Sequence, residues 1–524
     1  ITSRIINNDL ILTYDWQINE DFGLKVIAGQ NIYESEVKRL IINASDLLVP
    51  DVYAYANAEA KIPTNIYRKN RLVGLYGDIG FSFRNMVFLN VTGRNDWSSA
   101  MPKTHRSYFY PSVSAGFVFT ELIPANDILS YGKFRINYAN VGSDTDPYAL
   151  DYVYTPENSY FLQFIGSDGG KFPHGGLLGY AIPGRYPDPN LKPQNQSAFE
   201  IGADLRLFNG RITIDATYYK NVTTNNIADI DAPNSTGYFY FKKNAGKISN
   251  KGVELMIGLT PIHNQVKWDV NLNFASNRQE VKELDPSVDM LNLTSGWSGL
   301  QVKAAVGEPF SIYGVGWERD PDGNILINPS TGARLTSSSA VNLGKIAPDW
   351  TMGISNSLSY KGISLGFLID IRKGGVMYSG TVSNLRTSGQ AEETLLNNRK
   401  PIIDQGVVQQ ADGTYVPNTQ EIKSYDYWQN YKVANTEANI FDASYVKLRE
   451  LTLNYNLPAQ WFDKCFIKKV SVGIEGRNLW IIKSHVPHID PEMSFFSPGE
   501  VGSSVEFASI PTTRSFGFNL KFDF

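Results

Sequence analysis

Segments in which every second residue is apolar recur along the whole chain. Successive side chains of a β-strand point to opposite faces, so this spacing predicts strands with one apolar face and one polar face. The Asn209-Gly210 pair, which lies between two such segments, predicts a tight type I′ hairpin turn. In residues 199–207, charged or small residues alternate with five apolar ones, which are Phe199, Ile201, Ala203, Leu205 and Leu207.

The alternation predicts about fifteen strands of roughly ten to sixteen residues. Twelve residues at about 3.3 Å each, tilted by about 45°, cover roughly 28 Å, which is close to the hydrocarbon thickness of a bilayer. No run of 18 apolar residues occurs, so a transmembrane helix is excluded and a transmembrane antiparallel β-barrel stays open. The predicted strands are 9–18, 22–32, 71–83, 86–96, 109–120, 131–142, 196–208, 211–221, 249–260, 265–277, 350–360, 363–373, 444–456, 467–482 and 513–524.

The connections between these strands alternate between short and long. Barrels of the outer membrane have short periplasmic turns and long extracellular loops, whereas compact soluble domains rarely carry such long loops. The short connections are 19–21, 84–85, 121–130, 209–210, 261–264, 361–362 and 457–466, and the long ones are 33–70, 143–195, 222–248, 278–349, 374–443 and 483–512, with 97–108 of modest length. A soluble β-sandwich or propeller is the alternative, but it has no reason to place every long loop at one end of its strands.

The composition narrows the classes of function. Lys and Arg total 48 against 52 for Asp and Glu, so the net charge of -4 provides no basic surface for nucleic acid. Aromatic residues make up 13% of the chain, which suits half-buried strands and membrane interfaces. Cys465 is the single cysteine, so an intrachain disulfide is excluded.

Nine segments resemble the SusC/RagA-type TonB-dependent outer-membrane transporters of the Bacteroidota, in the order of that family and over essentially the whole chain. They are GRNDWSSAMP (93–102), YPSVSAGFVF (110–119), LKPQNQSAFEIGADLRLFNGRITIDATYY (191–219), NAGKISNKGVEL (244–255), VGEPFSIYG (306–314), LGKIAPDWTMG (343–353), FDASYVKLRELTLNYNLP (441–458), EGRNLWIIKSHVPHIDPE (475–492) and PTTRSFGFNLKFDF (511–524).

The resemblance implies a bacterial outer-membrane barrel of 22 strands with a folded plug in its lumen. We therefore expect residues 1–524 to form the carboxy-terminal portion of that barrel, with the plug, the TonB box and the first strands absent from this chain. Single-chain bacterial barrels have an even number of strands, and a count of fifteen is odd. Open sheet edges are too costly in lipid, so a remaining barrel or plug polypeptide would have to close the sheet.

The same resemblance implies an importer that takes up oligosaccharides or peptides. Its expected partners are a SusD-like surface lipoprotein that covers the barrel, TonB acting through the plug, and outer-membrane lipid. The alternative from another class is a docking or assembly platform that uses the same barrel and transports nothing. A soluble adhesin is the third reading.

Three short motifs suggest chemistry only superficially. Residues 362–366 (GISLG) match a nucleophile pattern that needs a strand-to-helix turn, but here the motif starts a long strand. His485, His488 and Asp490 could converge on a metal, but two His three residues apart just beyond a strand more often form an ordinary loop. The DPDGN stretch at 320–324 fits a surface turn better than a calcium loop. We expect no catalytic site, metal site or cofactor.

Aromatic residues in the long segments are the candidates for substrate binding, because Trp and Tyr rings stack on sugars and peptides. Each could instead belong to an interfacial girdle or pack the loops. Tyr313 and Trp428 also lie in stretches that resemble family motifs, which favours a structural role for them. The candidates are Trp297, Tyr313, Trp317, Tyr425, Tyr427, Trp428 and Tyr431.

The alternation assigns side chains to the two faces of the sheet. The polar set should contact water or the plug, and the apolar set should face lipid, where charge is costly. The predicted lumen-facing residues are Glu200, Asp204, Arg206, Arg211, Asp215, Asp269 and Arg372. The predicted lipid-facing residues are Phe199, Leu205, Ile214, Leu272 and Phe367.

The end of the chain is an uninterrupted apolar face. By resemblance to outer-membrane proteins, an aromatic terminal residue on such a strand is the signal read by the barrel-assembly machinery. A simple girdle position at the periplasmic interface is the alternative for Phe524. The residues of this predicted terminal signal are Phe516, Phe518, Leu520, Phe522 and Phe524.

Overall fold

The structure, a computed structural model, describes residues 1–124, 126–157, 177, 179–296, 299–431, 435–462, 466–496 and 501–524. Strands dominate this part of the chain. The strands up to residue 263 are β1 (Thr2–Gln17), β2 (Phe22–Leu47), β3 (Ala58–Phe83), β4 (Val87–Ser98), β5 (Ser107–Val118), β6 (Leu129–Ser143), β7 (Thr155–Glu157), β8 (Gly179–Ala181), β9 (Arg185–Pro187), β10 (Gln194–Leu207), β11 (Ile212–Asp231) and β12 (Tyr240–His263).

Shorter strands and two helices fill much of the second half. The strands are β13 (Val266–Leu284), β14 (Met290–Ser295), β15 (Gln301–Ala305), β16 (Ser311–Trp317), β17 (Thr336–Lys345), β18 (Trp350–Tyr360), β19 (Ile363–Lys373), β20 (Val376–Ser379), β21 (Ile402–Ile403), β22 (Val407–Gln409), β23 (Tyr415–Pro417), β24 (Glu421–Ile422), β25 (Ile440–Asp442), β26 (Tyr445–Asn456), β27 (Lys469–Ser484), β28 (Val505–Glu506) and β29 (Ser515–Asp523). The α-helices are α1 (Gly380–Thr387) and α2 (Ser424–Gln429). Seven 3-10 segments are assigned in the described residues, at Tyr55–Asn57, Phe119–Leu122, Asn234–Thr236, Glu392–Arg399, Glu437–Asn439, Ala459–Trp461 and Val501–Ser504. No helix within the described residues has the length and apolarity needed to cross a membrane.

Fifteen strands follow one another in a single large sheet, which confirms the predicted number. The order is β1-β2-β3-β4-β5-β6-β10-β11-β12-β13-β18-β19-β26-β27-β29, and β9 pairs with β12 off this path. Neighbours run antiparallel, as in β2 and β3, which pair from Phe22↔Phe83 to Leu47↔Ala58. The fifteen strands are therefore arranged in the sheet in the same order as in the chain, so that each lies beside the sheet strand before it in sequence.

The hairpin turns follow the predicted chemistry with one shift. Lys361 and Gly362 have φ of 45° and 87° and join β18 to β19 in two residues, as predicted. Between β10 and β11 the tight turn is centred one residue earlier than predicted, because Gly210 donates its N–H to the carbonyl of Leu207 at 3.1 Å. Phe208 and Asn209 take the left-handed conformation there, with φ of 54° and 56°.

Several strands are longer than the predicted ten to sixteen residues. β2 and β3 have 26 residues each and β12 has 24. The segments 33–70 and 222–248, predicted as loops, are therefore largely paired strands. Pairing continues there through polar cross-strand neighbours such as Glu34↔Arg71, and apolar alternation does not report such pairs.

The chain divides into two compact units, with boundaries inside five strands of the sheet. Unit 1 comprises residues 1–117, 135–199 and 221–247, and contains most of β1–β5 together with parts of β6, β10, β11 and β12. Unit 2 comprises residues 118–134, 200–220 and 248–524, and contains the rest of β5, β6, β10, β11 and β12 with β13, β18, β19, β26, β27 and β29.

The long segments of unit 2 fold into a core of their own. β14–β17 form a four-stranded sheet within the predicted loop 278–349, and β20 pairs with β25 and β28. Leu300, Val302, Ile312, Tyr378 and Val505 form a buried apolar cluster. These loops therefore have buried interiors and internal sheets.

Candidate functional site

An aromatic cluster in unit 2 surrounds the guanidinium group of Arg334. This group lies 5.2 Å from the ring centroid of Trp317 and 5.8 Å from the centroids of Tyr427 and Tyr431. Arg334 Nε and Nη2 donate to the carboxylate of Asp404 at 2.5 and 2.9 Å. Burial opposes the charge of Arg334, but the hydrogen bonds to Asp404 and the nearby phenol groups raise its pKa above the ordinary value. The chain's own cation thus occupies the centre of this aromatic cluster.

A second arginine lies against the same cluster. The Arg386 guanidinium is 5.4 Å from the ring centroid of Tyr431 and 5.1 Å from that of Phe441. Its Nε donates to Glu393 at 2.8 Å, and the other oxygen of Glu393 is 2.6 Å from His488 Nε2. Burial raises the pKa of Glu393, but the bonds from Arg386 and His488 outweigh it and leave that pKa below its ordinary value. The segment around His488 is thereby fixed to the segment after α1.

Four charged side chains, which we call the strap, join the segment after β27 to the start of β26. They are Lys447, Arg449, Asp490 and Glu492. Lys447 Nζ contacts Asp490 and lies 2.6 Å from Glu492, while Arg449 donates to both Glu492 oxygens at 2.6 and 2.7 Å. Burial raises the pKa of Glu492, but the hydrogen bonds from Arg449 and Lys447 lower it to about 2. The strap is a charge-assisted network of the strong kind.

The predicted substrate-binding aromatics fall into three groups. Tyr313, Trp317, Tyr427 and Trp428 are buried, and Tyr431 is partly buried in the same cluster as three of them. Tyr425 is 71% exposed. Trp297 lies outside the described residues. The buried rings pack the loops, so among the candidates in the described residues Tyr425 is the one whose side chain is open to a ligand, and substrate contact stays a prediction.

A polar cleft of about 480 Å³ lies beside α1 and α2. Its uncharged lining offers hydroxyl and amide groups from Thr381, Asn384, Thr387, Ser388, Gln390 and Gln429, together with Leu385 and Ala508. Tyr425 and Gln429 stand four residues apart on α2, a spacing that places helical side chains on one face. The cleft and the exposed ring therefore belong to the same part of the loop region.

Among the seven residues predicted to face the lumen, Arg206, Asp269 and Arg372 make contacts with other side chains or with the backbone. Arg206 stacks on the ring of Tyr131 at 4.9 Å, and Asp269 accepts a hydrogen bond from Thr260 Oγ1 at 2.8 Å. Arg372 Nη2 donates to the carbonyl of Ile346 at 3.1 Å. Among the predicted lipid-facing residues, Phe199 is exposed and Leu205, Ile214, Leu272 and Phe367 are partly exposed. The assignment of the two faces to water and to lipid stays a prediction.

The apolar residues at the end of the chain lie at the surface of the described structure. Phe516, Phe518, Leu520, Phe522 and Phe524 are all exposed, and β29 pairs with β27 from Ser515↔Arg477 to Asp523↔Lys469. The Phe524 ring stacks on Phe466 with centroids 5.7 Å apart. This contact suits a girdle position, and a role in assembly stays a prediction.

The three short motifs form ordinary parts of the fold, which are a strand, a pair of loop contacts and a turn. Ser364 lies inside β19, which runs on as a strand to Lys373. Asp490 belongs to the strap and His488 contacts Glu393, and in the described part of the chain no group of three or more His, Cys, Asp or Glu residues could hold a metal. Asp320 Oδ1 accepts the N–H groups of Asp322 and Asn324, which makes DPDGN a turn.

Sequence reasoning missed the charged residues that organise the loops. Arg334 and Asp404 are 70 positions apart, and Lys447 and Asp490 are 43 apart. Neither pair has a local spacing that would signal contact. The segments 324–344 and 394–414, which surround Arg334 and Asp404, contain no aromatic residue, so the local sequence does not signal their contact.

A meander of fifteen strands, with short turns at one end and structured loops at the other, defines an outer-membrane β-barrel protein. The family model described as TonB dependent receptor-like, beta-barrel, matches residues 3–479, and the chain belongs to this family.

Individual relatives agree with that family. TonB-dependent receptor P26 of Formosa agariphila is 24% identical over 555 residues, covering 98% of this chain and 53% of the relative. TonB-dependent receptor SusC of Bacteroides thetaiotaomicron is 23% identical over 533 residues, covering 94% and 50%. A solved structure of the RagAB peptide transporter has a TM-score of 0.74 at 19% identity and covers 99% of this chain and 55% of that chain, which is a likeness of fold. The chain thus spans about half the length of these relatives, and it is a SusC/RagA-like protein of the outer membrane.

Proposed function

We propose that this chain is the carboxy-terminal barrel portion of an importer that takes up neutral oligosaccharides or peptides. The plug, the TonB box and the remaining strands would come from sequence outside residues 1–524. A SusD-like lipoprotein would cover the loops, and TonB would act through the plug. The family supports a transporter, and the names SusC and RagAB peptide transporter support a partner of this kind.

The polar cleft beside α1 and α2 is the observation that carries the cargo class. Its eight lining residues are uncharged, so an ionic cargo would lose hydration without gaining a counter-ion. Hydroxyl and amide groups bond equally to sugar hydroxyls and to peptide groups. An exposed aromatic ring such as Tyr425 adds stacking, worth about 0.5 to 1.5 kcal/mol.

Uptake measurements test the proposal. Cells that carry the intact protein would receive fluorescent neutral oligosaccharides or peptides, with and without TonB function. We expect uptake that requires TonB, and Tyr425→Ala should weaken it by roughly two- to tenfold, as the stacking energy implies. Tyr415→Ala, at a ring on β23 that is 36% exposed, is the matched control and should leave uptake unchanged.

The platform function predicts a different pattern. In that case uptake of both cargo types would be the same without the protein, and the assembly of surface proteins would be disturbed instead. Such a result would overturn transport. Equal uptake by Tyr425→Ala and Tyr415→Ala, with TonB dependence intact, would reject the cleft and keep the importer.

A further inference from the structure

A row of charged side chains follows the apolar residues on one face of β1–β3 in unit 1. Residues 71, 73, 75, 77 and 79 of β3 share one face because strand side chains alternate. Leu75 and Ile79 on this face are exposed and apolar, and the face then turns charged at Arg71 and Lys69. Their partners on β2 are Glu34 and Glu36.

The row carries more positive than negative charge. Glu34 accepts a hydrogen bond from Arg71 Nε at 3.0 Å and pairs with Lys69 Nζ at 2.9 Å. Glu36 pairs with Arg4 and Lys38, each at 2.8 Å. Four cations thus surround two carboxylates, which leaves two positive charges in excess. Arg71 has five N–H donors and Lys69 has three, so both can bond a further anion.

The height of this row matches the edge of a bilayer. Twelve residues separate Arg71 from Phe83, the last residue of β3 before a short turn. At about 3.3 Å per residue and a tilt of about 45°, they rise roughly 28 Å, just beyond an apolar band about 25 Å tall. The short turns of such barrels lie on the periplasmic side, so Arg71 and Lys69 lie at the level of the outer headgroups.

A cavity of about 680 Å³ adjoins the two cations. Lys69 and Arg71 form part of its wall, and Met101, Tyr148 and Leu150 supply apolar surface. Asp151 is the acidic group in the lining, and it would repel an anion from that side and direct it toward Lys69 and Arg71. The cavity therefore combines an anion site with an apolar wall.

We propose that this cavity binds the anionic phosphomonoester headgroup of an outer-leaflet lipid. The phosphate bonds to Arg71 and Lys69, for which charge-assisted contacts are the strong kind. The acyl chains lie along the exposed apolar face of β3, against Leu75 and Ile79. The continuity of the cations with this apolar face favours a lipid over a soluble anion.

Titration of the purified intact protein in neutral detergent tests the site. The probes are dioleoyl phosphatidic acid, dioleoyl phosphatidylcholine and inorganic phosphate, with occupancy read by native mass spectrometry. We expect phosphatidic acid to bind and the double variant Lys69→Gln, Arg71→Gln to bind at least tenfold more weakly. Arg68→Gln, one residue from Lys69 and on the opposite face of β3, is the matched control and should bind as the unaltered protein does.

Two further variants keep the test decisive. Glu34 is buried among the cations, so the double variant could fail to fold. Adding Glu34→Gln removes the stranded carboxylate, and Asp151→Asn leaves both cations in place and should tighten binding about twofold. Equal binding of both lipids, or undiminished binding after loss of the two cations, would overturn the proposal. Inorganic phosphate that displaces phosphatidic acid at equal concentration would make the site one for a soluble anion and overturn it as well.

Discussion

The last strand of the sheet and the loop core of unit 2 place their apolar side chains in opposite surroundings. Phe516 and Phe518 on β29 are 80% and 71% exposed, whereas Ile312 and Tyr378 in the loops are 0% exposed. Large exposed apolar surfaces are unusual in soluble proteins and mark a face that contacts lipid or a partner. The exposed apolar face of the sheet is therefore compatible with lipid, whereas the loops bury their apolar side chains away from water.

The contrast between the exposed sheet face and the folded loop core depends most on the ion pair between Arg334 and Asp404. If its loss barely changes the opening free energy of the loops, the loop core is not a folded unit. Asp404→Asn leaves the guanidinium of Arg334 buried without a carboxylate, and removing one partner of a buried pair costs about 3 to 5 kcal/mol. We expect the local opening free energy around α2 to fall by that amount, measured by amide hydrogen exchange. Asp412→Asn, in an exposed turn of the same segment, should change it by less than about 0.5 kcal/mol. Equal protection in the two variants would contradict a folded loop core.

The lipid side of the comparison depends on two neighbouring residues of β10. Leu205→Arg places a charge on the predicted lipid face, at a cost of about 2 to 4 kcal/mol near the bilayer midplane. Arg206→Leu loses mainly its stacking on Tyr131, about 0.5 to 1 kcal/mol. Refolding into lipid vesicles, followed by unfolding in urea, measures both. Equal losses would mean that the two faces are wrongly assigned.

Low pH should destabilise the strap more than the rest of the loop region. The pKa of Glu492 is about 2 in the folded loop against an ordinary value of 4.5, so its ion pairs stabilise the loop fully above pH 4.5. That stabilisation is lost as the pH falls from 4.5 to 2, and residues 485–493 should then exchange their amides faster than the intrinsic pH dependence explains. In Glu492→Gln the same segment should already exchange faster at pH 7, and acidification should accelerate its exchange less than in the wild type, because only the Asp490 carboxylate of the strap is left to protonate. A wild-type loop that stays equally protected down to pH 2 would exclude this role for Glu492.

The end of the chain gives the smallest expected effect. A short polar tail after Phe524 should reduce the amount of assembled barrel a few-fold if a terminal aromatic residue is the assembly signal. The same tail should leave assembly unaltered if Phe524 is only a girdle residue that stacks on Phe466. Heat-modifiable gel mobility of membrane fractions measures the assembled amount. Phe524→Leu without a tail tests whether the ring itself matters.

The sheet could be predicted from the sequence and the loop core could not, for a physical reason. A strand with one face in lipid must alternate apolar and polar residues, so the local sequence around Leu205 and Arg206 predicts which face each side chain occupies. The Lys361-Gly362 pair likewise predicts a tight turn, and both residues have positive φ angles. The Arg334–Asp404 pair depends on a fold that brings together residues 70 positions apart. The alternation predicts a loop at the charged ends of β2 and β3, because polar cross-strand pairs such as Glu34↔Arg71 have no apolar period.

The candidate site is also only partly predictable, because the local sequence does not report contacts or exposure that depend on the tertiary fold. Sequence reasoning selected Tyr427 and Trp428 for their ring chemistry, but the guanidinium of Arg334 lies against the ring of Tyr427 and burial closes off Trp428. Exposure decides whether an aromatic ring can meet a ligand, and composition does not report exposure. Tyr425 is exposed, whereas Tyr427 and Trp428 on the same helix α2 are buried.

The β2–β3 hairpin is much longer than a bilayer requires, so its tip should project from the outer face of the membrane. Its 26-residue strands measure about 86 Å at roughly 3.3 Å per residue, and about twelve residues are enough to cross the bilayer. At roughly 3.3 Å per residue, the remaining residues add about 46 Å of paired strand beyond the hydrocarbon, measured along the strand. Val49 and Tyr53 at its tip are exposed. An antibody or a phage arriving from outside would touch this tip early, and a short epitope inserted between residues 50 and 54 would be displayed there.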